Sequence, residues 1–518
     1  MLAPHTNSFN KGWTITISLI LFTITVLTRI PFTSKILSHW DSVQFAIATE
    51  KYDITVHQPH PPGYFLYVML GKLLNHFTGD ANTSFIVISI VASGLTVVSI
   101  FLLAHRMFDG MTALGASVLA ISSPLFWFYS EVALTYIVES FFSVFFAYIC
   151  WRILNGEHKL IFISALLLAL AGGIRQSTIV FLIPLWLYSI KNVRYEYILI
   201  SFSLLIAGVV SWLLPMLSMT GGFVKYQAAM NEHWAETFEP FTCINLGFKC
   251  LLPYALKFFR FVSYGLGLFA AISIFCIIMT GFKNIKRTLF SHYSIFIGLW
   301  IAPFIFALIL LFMHTANPGY SLFFIPALLI ASVKIVKSAT EKVYSSVNIF
   351  VVLILFTTIF NVYVFIFSTS PLSRNMLEKN YSYITNFVTS IRAHFSPSDT
   401  IIVSPEVLFL PNYIEASPRH FMYYLPEYRV YIIDLEDERI HRRGKFRKFY
   451  WQNHKIFISD TLHIPHGVKY FVSPIWDKRA IEKLREYGES IDILYDGDKK
   501  IAFYGDINLI LKAYNRTQ

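Results

Sequence analysis

The chain has 518 residues, of which 55% are hydrophobic, 17% aromatic and only 14% charged, with a mean hydropathy of +0.56 and a formal net charge of +11. This composition excludes an ordinary soluble protein and predicts a polytopic membrane protein. Positive loops are expected of any such protein, so the net charge does not indicate a nucleic-acid partner.

Eleven stretches approach the roughly 20 apolar residues that a membrane-spanning helix needs. They are Trp13–Ile30, Ser84–Met107, Met111–Phe128, Ala133–Leu154, Lys159–Ala171, Thr178–Ile190, Tyr197–Met219, Phe258–Phe282, Tyr293–Met313, Ser321–Val336 and Asn348–Phe367. The first is too long for a signal peptide and lacks a small-residue cleavage site, so we expect it to be a spanning helix.

Basic residues concentrate in alternate loops, which predicts the orientation of the chain. These loops hold Arg106, Arg152, Lys159, Lys191, Arg194, Lys283, Lys286, Arg287, Lys334, Lys337 and Lys342. The other short loops hold only Arg175. We therefore expect a multi-pass protein of the bacterial inner (plasma) membrane with a cytoplasmic N-terminus. The first loop (31–83), the loop 220–256 and the C-terminal region would then face outward.

Charge density separates a second domain from the first. Residues 371–518 hold 21 of the 42 Lys and Arg and 18 of the 31 Asp and Glu. We expect a transmembrane domain over residues 1–370 and an extracytoplasmic α/β domain over 371–518. The predicted elements of the latter are helices Met376–Phe395 and Asp477–Gly488, strands Thr400–Val403, Arg429–Ile433, Lys455–Ser459 and Lys469–Ser473, and a hairpin Ile491–Tyr504 turning at Gly497. The basic run 441–448 is either a solvated loop or a contact for anionic lipid head groups.

The four cysteines fall into two groups. Cys243 and Cys250 lie in the predicted outward loop, where an oxidising compartment allows a disulfide; two free thiols are the alternative. Cys150 and Cys276 lie within apolar segments, where we expect core residues.

The first outward loop concentrates ionisable residues against the membrane, where they are costly to keep. Asp41 is either a general base for a hydroxyl or an ordinary acid that begins an interfacial helix. His57 and His60 lie in the sequence His-Gln-Pro-His-Pro-Pro-Gly-Tyr, where prolines stiffen the backbone. Together with Asp41 they offer ligands for a divalent cation, although hydrogen bonds to a substrate phosphate explain the histidines equally well.

Later outward loops supply further candidates. Glu131 is the acid of its loop, either catalytic or a structural hydrogen-bond acceptor. Arg175, in Gly-Gly-Ile-Arg-Gln-Ser, is either a phosphate ligand or an interfacial arginine whose charge reaches the surface. His314, Asn317 and Tyr320 offer donors to phosphate or sugar, and Asn317 can alternatively cap the next helix.

These motifs, in this order on a polytopic scaffold, resemble the GT-C-type glycosyltransferases over about the first 370 residues. The likeness is greatest to the protein O-mannosyltransferase and lipid A aminoarabinose transferase group. It is carried by Asp41, His-Pro-Pro-Gly-Tyr, Phe-Tyr-Ser-Glu-Val-Ala-Leu-Thr-Tyr and Gly-Gly-Ile-Arg-Gln-Ser. One departure is Ser42 after Asp41, where protein mannosyltransferases often have an Asp-Glu pair.

The resemblance implies transfer of a sugar from a polyprenyl-phosphate donor to a hydroxyl of a protein, lipid or glycan acceptor, with inversion. It implies that Asp41 is the base, Glu131 the second acidic position and Arg175 the donor-phosphate contact, with the His60 loop shaping the site. The region from His314 to Tyr320 would lie near the lipid phosphate.

Two alternatives from other classes remain. A transporter or lipid flippase would use the same charged residues as a substrate path, but the ionisable residues gather at one predicted face and no internal repeat is present. A glycan-binding protein with an inactive transferase core is the third possibility, against which the joint presence of Asp41, Glu131 and Arg175 argues.

Overall fold

A computed structural model describes residues 11–280, 292–313, 316–344, 347–404, 408–409, 415–432, 448–452, 455–459, 464, 466–474, 485 and 491–509. The chain divides into two compact units. One comprises Met1–Thr33 and Ala48–Arg374, and the other comprises Ser34–Ile47 and Asn375–Gln518. The second unit therefore includes a short piece of the first loop, the piece that carries Asp41.

Helices make up most of the described residues. In chain order they are α1 Lys11–Arg29, α2 Trp40–Glu50, α3 Phe65–Thr78, α4 Ala81–Met107, α5 Gly110–Ser122, α6 Pro124–Ser130, α7 Tyr136–Leu154, α8 Ile161–Ile174, α9 Ser177–Ser189, α10 Tyr195–Thr220, α11 Phe223–His233, α12 Cys243–Leu246, α13 Leu251–Leu266, α14 Leu268–Thr280, α15 His292–Ala307, α16 Ile325–Tyr344, α17 Val347–Phe367, α18 Arg374–His394 and α19 Pro418–Tyr424. The first loop holds the helices α2 and α3, and Asp41 lies in the first turn of α2.

Six helical stretches of the described residues are long and apolar enough to cross a membrane, and counting each of two bent helix pairs as one span brings the number to eight. Two further predicted spans correspond to shorter apolar helices, His158–Ile174 and Ser177–Ser189. The predicted span Ser321–Val336 corresponds to a short 3₁₀ segment, Pro318–Phe323, followed by α16.

The predicted span Phe258–Phe282 is interrupted, because the helix is broken at Gly267. The stretches Cys243–Leu266 and Leu268–Met279 meet at an angle of 101°. Gly267 has φ 57° and ψ −141°, a conformation that side chains rarely adopt, so glycine permits the bend. Hydropathy is nearly continuous across this position, so the hydropathy pattern gave no sign of the bend.

A disulfide joins Cys243 to Cys250, with Cα atoms 5.5 Å apart. It closes a short loop just before α13, whereas Cys150 and Cys276 are buried and reduced.

Thiol labelling checks this arrangement directly. We expect maleimide to add two labels to the denatured, unreduced protein, at Cys150 and Cys276, and four labels after reduction. Intact-mass measurement counts the labels. Four labels without reduction would contradict the disulfide.

Strands occur in the second unit. They are β1 Thr400–Ser404, β2 Leu408–Phe409, β3 Glu415–Ala416, β4 Arg429–Ile432, β5 Lys448–Gln452, β6 Lys455–Ser459, β7 Tyr470–Pro474, β8 Ile491–Asp496 and β9 Lys499–Asp506. Within the described residues seven of them form one mixed sheet in the order β6-β5-β4-β1-β7-β9-β8. The central strand β1 pairs in parallel with β4 and β7, and the outer pairs are antiparallel.

The predicted elements of the tail mostly match the observed ones. The helix Met376–Phe395 is α18, each predicted strand lies within one residue of an observed strand, and the hairpin turns at Gly497, whose φ is 57°. The sheet encloses a core of Ile401, Val403, Tyr431, Phe471, Ile491, Phe503, Ile507 and Leu509. Both the basic run 441–448, except its last residue, and the predicted helix Asp477–Gly488, except Arg485, lie outside the described residues.

Candidate active site

A tight turn presents His57. Backbone hydrogen bonds pair Asp53 with Gln58, and the Asp53 carboxylate accepts the Thr55 N–H at 3.0 Å. Inside this turn His57 has φ 57°, a left-handed conformation that residues other than glycine seldom adopt. Such strain concentrates at functional sites because the surrounding structure must hold it.

The Pro-Pro-Gly segment that follows is held just as firmly. The Tyr52 hydroxyl donates to the Gly63 carbonyl at 2.6 Å, and Gly63 has φ 112°. A Cβ at Gly63 would lie 2.6 Å from the Tyr52 hydroxyl, so only glycine fits without displacement. Tyr64 then begins α3 with φ 44°, and its hydroxyl lies 3.0 Å from His60 Nε2.

A third histidine completes this part of the site. The His233 ring lies 5.5 Å from the His57 ring and 5.8 Å from the His60 ring, measured between centroids. His233 ends α11, in the loop that the disulfide follows. Sequence analysis missed it, because it lies about 170 residues from the other two and belongs to no motif.

Gln176 links the Pro-Pro-Gly segment to the Gly-Gly-Ile-Arg-Gln-Ser motif. Its Nε2 donates to the Pro62 carbonyl at 3.0 Å, and its Oε1 accepts the Tyr226 hydroxyl at 2.9 Å. The neighbouring residue Arg175 leaves the end of α8 in an extended conformation. Gln176 thus joins the segment of His60 to the motif of Arg175.

Arg175 forms a buried ion pair with Glu139, an acid that sequence analysis passed over. Arg175 Nη1 donates to Glu139 Oε2 at 3.0 Å, and the Thr178 hydroxyl donates to Oε1 at 2.9 Å. The guanidinium also lies over the Tyr320 ring at 4.4 Å and the Tyr136 ring at 5.6 Å. Only 10% of the Arg175 side chain is exposed, so Arg175 is not an interfacial arginine whose charge reaches the surface.

Asn317 joins the same cluster through two tyrosines. Its Nδ2 donates to the Tyr136 hydroxyl at 2.8 Å, and its Oδ1 accepts from the Tyr129 hydroxyl at 3.1 Å and from the Gly319 N–H at 2.9 Å. The last of these bonds is the predicted helix cap. Tyr320 stacks at a tilt against Tyr136, with centroids 5.4 Å apart. The structure therefore brings Arg175, Asn317 and Tyr320 together around Tyr136.

Close packing of this cluster makes Gly319 sensitive to substitution. A Cβ at Gly319 would lie 2.5 Å from Tyr136 Cδ2 and 2.8 Å from Tyr129 Cε1. We expect Gly319→Ala to push both rings away from Asn317 and to lower the free energy of unfolding by about 1–3 kcal/mol. Thermal unfolding in detergent measures the change.

Gly298→Ala is the matched control. Gly298 lies within α15, and a Cβ there would meet nothing within 4 Å. Alanine should be neutral or slightly stabilising at this helical position. An equal loss of stability in both variants would contradict the packing argument.

Glu131 occupies a different environment from Arg175. Its side chain is fully buried next to Trp127 and Arg29. Arg29 is also buried; its guanidinium lies 4.5 Å from the centre of the Trp127 ring, and Nη2 donates to the Ile121 carbonyl at 2.6 Å. Burial raises the pKa of the Glu131 carboxyl well above its usual range, against the opposing effect of Arg29.

Asp41 lies in the first turn of α2, within the unit that holds the C-terminal domain. Its backbone N–H donates to His39 Nδ1 at 3.0 Å, and its Oδ2 lies 3.6 Å from the same nitrogen. Because Nδ1 accepts a hydrogen bond, it carries no proton, and the contact with the carboxylate is not an ion pair. The Asp41 side chain is 14% exposed, so the carboxylate can still be reached.

The remaining candidates concern metal and lipid phosphate. In the described parts of the chain no three His, Cys, Asp or Glu side chains are arranged to hold a metal ion. The predicted metal ligands Asp41, His57 and His60 stay a prediction. His314 lies outside the described residues.

Known proteins resemble this chain in part of its sequence and throughout its fold. Residues 41–198 match the family model described as the protein O-mannosyl-transferase TMEM260 N-terminal domain. This match covers Asp41, the His-Pro-Pro-Gly turn, Glu139 and Arg175. No curated protein sequence matches the chain.

Three solved structures share the fold. ArnT from Cupriavidus metallidurans in the apo state is 12% identical with a TM-score of 0.54, covering 96% of this chain and 98% of that one. ArnT bound to undecaprenyl phosphate is 12% identical with a TM-score of 0.53, covering 97% and 99%. The apo oligosaccharyltransferase of Archaeoglobus fulgidus is 14% identical with a TM-score of 0.51, covering 90% of this chain and 70% of that one.

These likenesses confirm the predicted fold class, a polytopic helical membrane protein with a small C-terminal sheet domain. At 12–14% identity the solved structures show a shared fold, whereas the family model shows a sequence likeness that is confined to residues 41–198. The chain is thus a polytopic helical membrane protein that shares its fold with ArnT and the archaeal oligosaccharyltransferase, and over residues 41–198 it is similar to the N-terminal domain of the protein O-mannosyl-transferase TMEM260.

Proposed function

We propose that the protein is a membrane glycosyltransferase that moves a hexose or mannose-like sugar from a polyprenyl-phosphate donor to an acceptor hydroxyl. The match over residues 41–198 supports the reaction class, and the undecaprenyl phosphate bound to ArnT supports the donor class. The acceptor is a protein, lipid or glycan on the outer face. The chain lies in the inner (plasma) membrane with its N-terminus in the cytoplasm.

One observation carries the proposal: the guanidinium of Arg175 lies over the rings of Tyr320 and Tyr136. A guanidinium has five N–H donors, and the pair with Glu139 uses Nη1. The others can bind phosphate oxygens, and tyrosine hydroxyls and ring faces suit a sugar. His57 and His60 lie on the adjoining turn, from which they can contact the same donor.

The reaction is a direct displacement. Asp41 accepts the proton of the acceptor hydroxyl as that oxygen forms a bond to C1 of the sugar. The bond between C1 and the phosphate oxygen breaks, and the polyprenyl phosphate leaves with the electron pair, its charge met by Arg175. Tyr320 lies beside the guanidinium, and Asn317 is hydrogen-bonded to the neighbouring Tyr136. Attack from the opposite side inverts the anomeric centre.

Glu131 takes a supporting part in this proposal. A carboxyl that is fully buried beside Arg29 cannot touch a substrate without rearrangement, so its role is to hold α6 against α1. Its complete burial favours the structural alternative over a second catalytic acid.

A donor panel tests the proposal. Purified full-length protein in lipid nanodiscs is incubated with polyprenyl-phosphate sugars and candidate acceptors, and released polyprenyl phosphate is measured with and without chelator. We expect release with one donor class. Loss of release with chelator would reveal a divalent cation. No release from any donor would contradict the proposal and direct attention to transport of a lipid-linked glycan.

A further inference from the structure

A segment of the first loop is built into the C-terminal domain. Residues Ser34–Ile47 form one compact unit with Asn375–Gln518. Leu37, Val43 and Phe45 of this segment are almost completely buried. The segment is therefore part of the folded core of that unit, although more than 300 residues separate the two in sequence.

Helix α19 binds both polar groups of the Leu37 backbone. The Leu37 N–H donates to the Tyr424 hydroxyl at 2.9 Å, and the Leu37 carbonyl lies 2.9 Å from His420 Nε2. Both ends of α19 take part, since the helix runs from Pro418 to Tyr424. Two bonds to one residue fix the position and the direction of the chain at that point.

The protonation state of His420 is set by its surroundings. The backbone N–H of Ser417 donates to His420 Nδ1 at 3.1 Å, so that nitrogen carries no proton. Nε2 therefore carries the hydrogen and donates it to Leu37. Burial lowers the pKa of His420 to about 3, which keeps the ring neutral in this arrangement.

Helix α18 holds the neighbouring residues of the segment. Asn380 Nδ2 donates to the Ser38 carbonyl at 2.6 Å, and Asn380 is itself buried. The ammonium group of Lys35 lies 5.3 Å from the centre of the Tyr381 ring. Contacts from two helices thus fix residues 35–38, directly before the first turn of α2.

We propose that the C-terminal domain positions the Asp41 carboxylate, with His420, Tyr424 and Asn380 as positioning residues. Two residues separate Ser38 from Asp41, and the His39 Nδ1 bond to the Asp41 N–H stiffens that stretch. The inference rests on the proposed function insofar as Asp41 is the base. That α18 and α19 fix residues 35–38 is a separate claim, and it can be tested without measuring sugar transfer.

Amide hydrogen exchange in the full-length protein tests whether α18 and α19 fix this segment. We expect Tyr424→Phe to raise the exchange rate of peptides covering residues 34–41 about tenfold or more, because the Leu37 N–H loses its acceptor. Tyr428→Phe is the matched control. The Tyr428 hydroxyl donates to the Phe395 carbonyl at 2.7 Å within the same domain and has no contact with the segment among the bonds described above.

Kinetics separate positioning from general stability. For Asn380→Ala and His420→Leu we expect kcat to fall by about tenfold to 10²-fold with little change in donor KM, because misplacing a reacting group acts on the chemical step. His420→Gln, which keeps an N–H donor in reach of the Leu37 carbonyl, should recover part of this loss. Because a loss of folded protein also lowers the apparent kcat without changing KM, rates are expressed per mole of folded, monodisperse protein, for which a merely structural defect leaves kcat unchanged.

Each result has a defined consequence. If the exchange rate of residues 34–41 is unchanged in Tyr424→Phe, or rises equally in Tyr428→Phe, α19 does not fix the segment. Faster exchange with unchanged kcat overturns the positioning of Asp41. If the wild-type protein shows no transfer, the proposed function fails while the exchange experiment still decides whether the domain holds the segment.

Discussion

Replacing Asp41 by asparagine is expected to lower the rate of sugar transfer by about 10²–10⁴-fold, the range that general-base assistance contributes. Asparagine has nearly the shape of aspartate but cannot take up the acceptor proton. It is also well tolerated near the start of a helix, so α2 should still form. Initial rates of polyprenyl phosphate release at saturating donor measure the effect.

Glu50→Gln provides the control for this prediction. Glu50 is the last residue of the same helix and is exposed, so the substitution removes an equivalent charge without touching the first turn. Its rate should stay close to that of the wild-type protein. Near-normal transfer by Asp41→Asn would remove Asp41 from the mechanism, and an equal loss in Glu50→Gln would show that the helix as a whole, rather than one carboxylate, is sensitive.

Hydropathy predicted the long spans well because burial in lipid acts on every residue of a span. The span predicted at Tyr197–Met219 is α10, Tyr195–Thr220, and the one predicted at Asn348–Phe367 ends where α17 ends. The bend at Gly267 escaped because a single backbone angle sets it. Its sign in the sequence was the glycine itself, which the apolar run on both sides obscured.

Individual site residues were harder to predict than spans. Arg175 was found because it breaks the charge pattern of its loops, but its partner Glu139 was read as part of an apolar span. An acid within such a span is itself a sign of a polar partner, and this sign was available. His420 and Tyr424 gave no such sign, since their contact with Leu37 joins residues nearly 400 positions apart.

The organisation into two units has a similar origin. Charge density marked the start of the tail near residue 371, and the units divide after Arg374. No composition shift separates residues 34–47, in which apolar and polar side chains are mixed, from the rest of the first loop. Their membership of the C-terminal unit depends on backbone hydrogen bonds to specific side chains, which a pattern of residue types does not encode.

The second large effect is expected at the buried pair of Arg175 and Glu139. Removing one member leaves a charge without its partner in a site from which water is largely excluded, which costs about 3–5 kcal/mol. We expect Arg175→Met to show this loss in thermal unfolding and to weaken donor use as well. The exposed pair of Arg194 and Glu196 is the control, and Arg194→Met should change stability little.

Comparing the two members of the pair separates a donor ligand from a structural arginine. Glu139→Gln keeps the shape and the acceptor for Thr178 but removes the charge that neutralises Arg175. If Arg175 binds the donor phosphate, Glu139→Gln loses stability yet keeps or lowers the donor KM, whereas Arg175→Met raises it. If both variants lose stability equally and the donor KM is unchanged in both, the ion pair stabilises the fold and Arg175 does not bind the donor. The opposite signs expected for KM make this comparison decisive, because damage to folding moves both variants in the same direction.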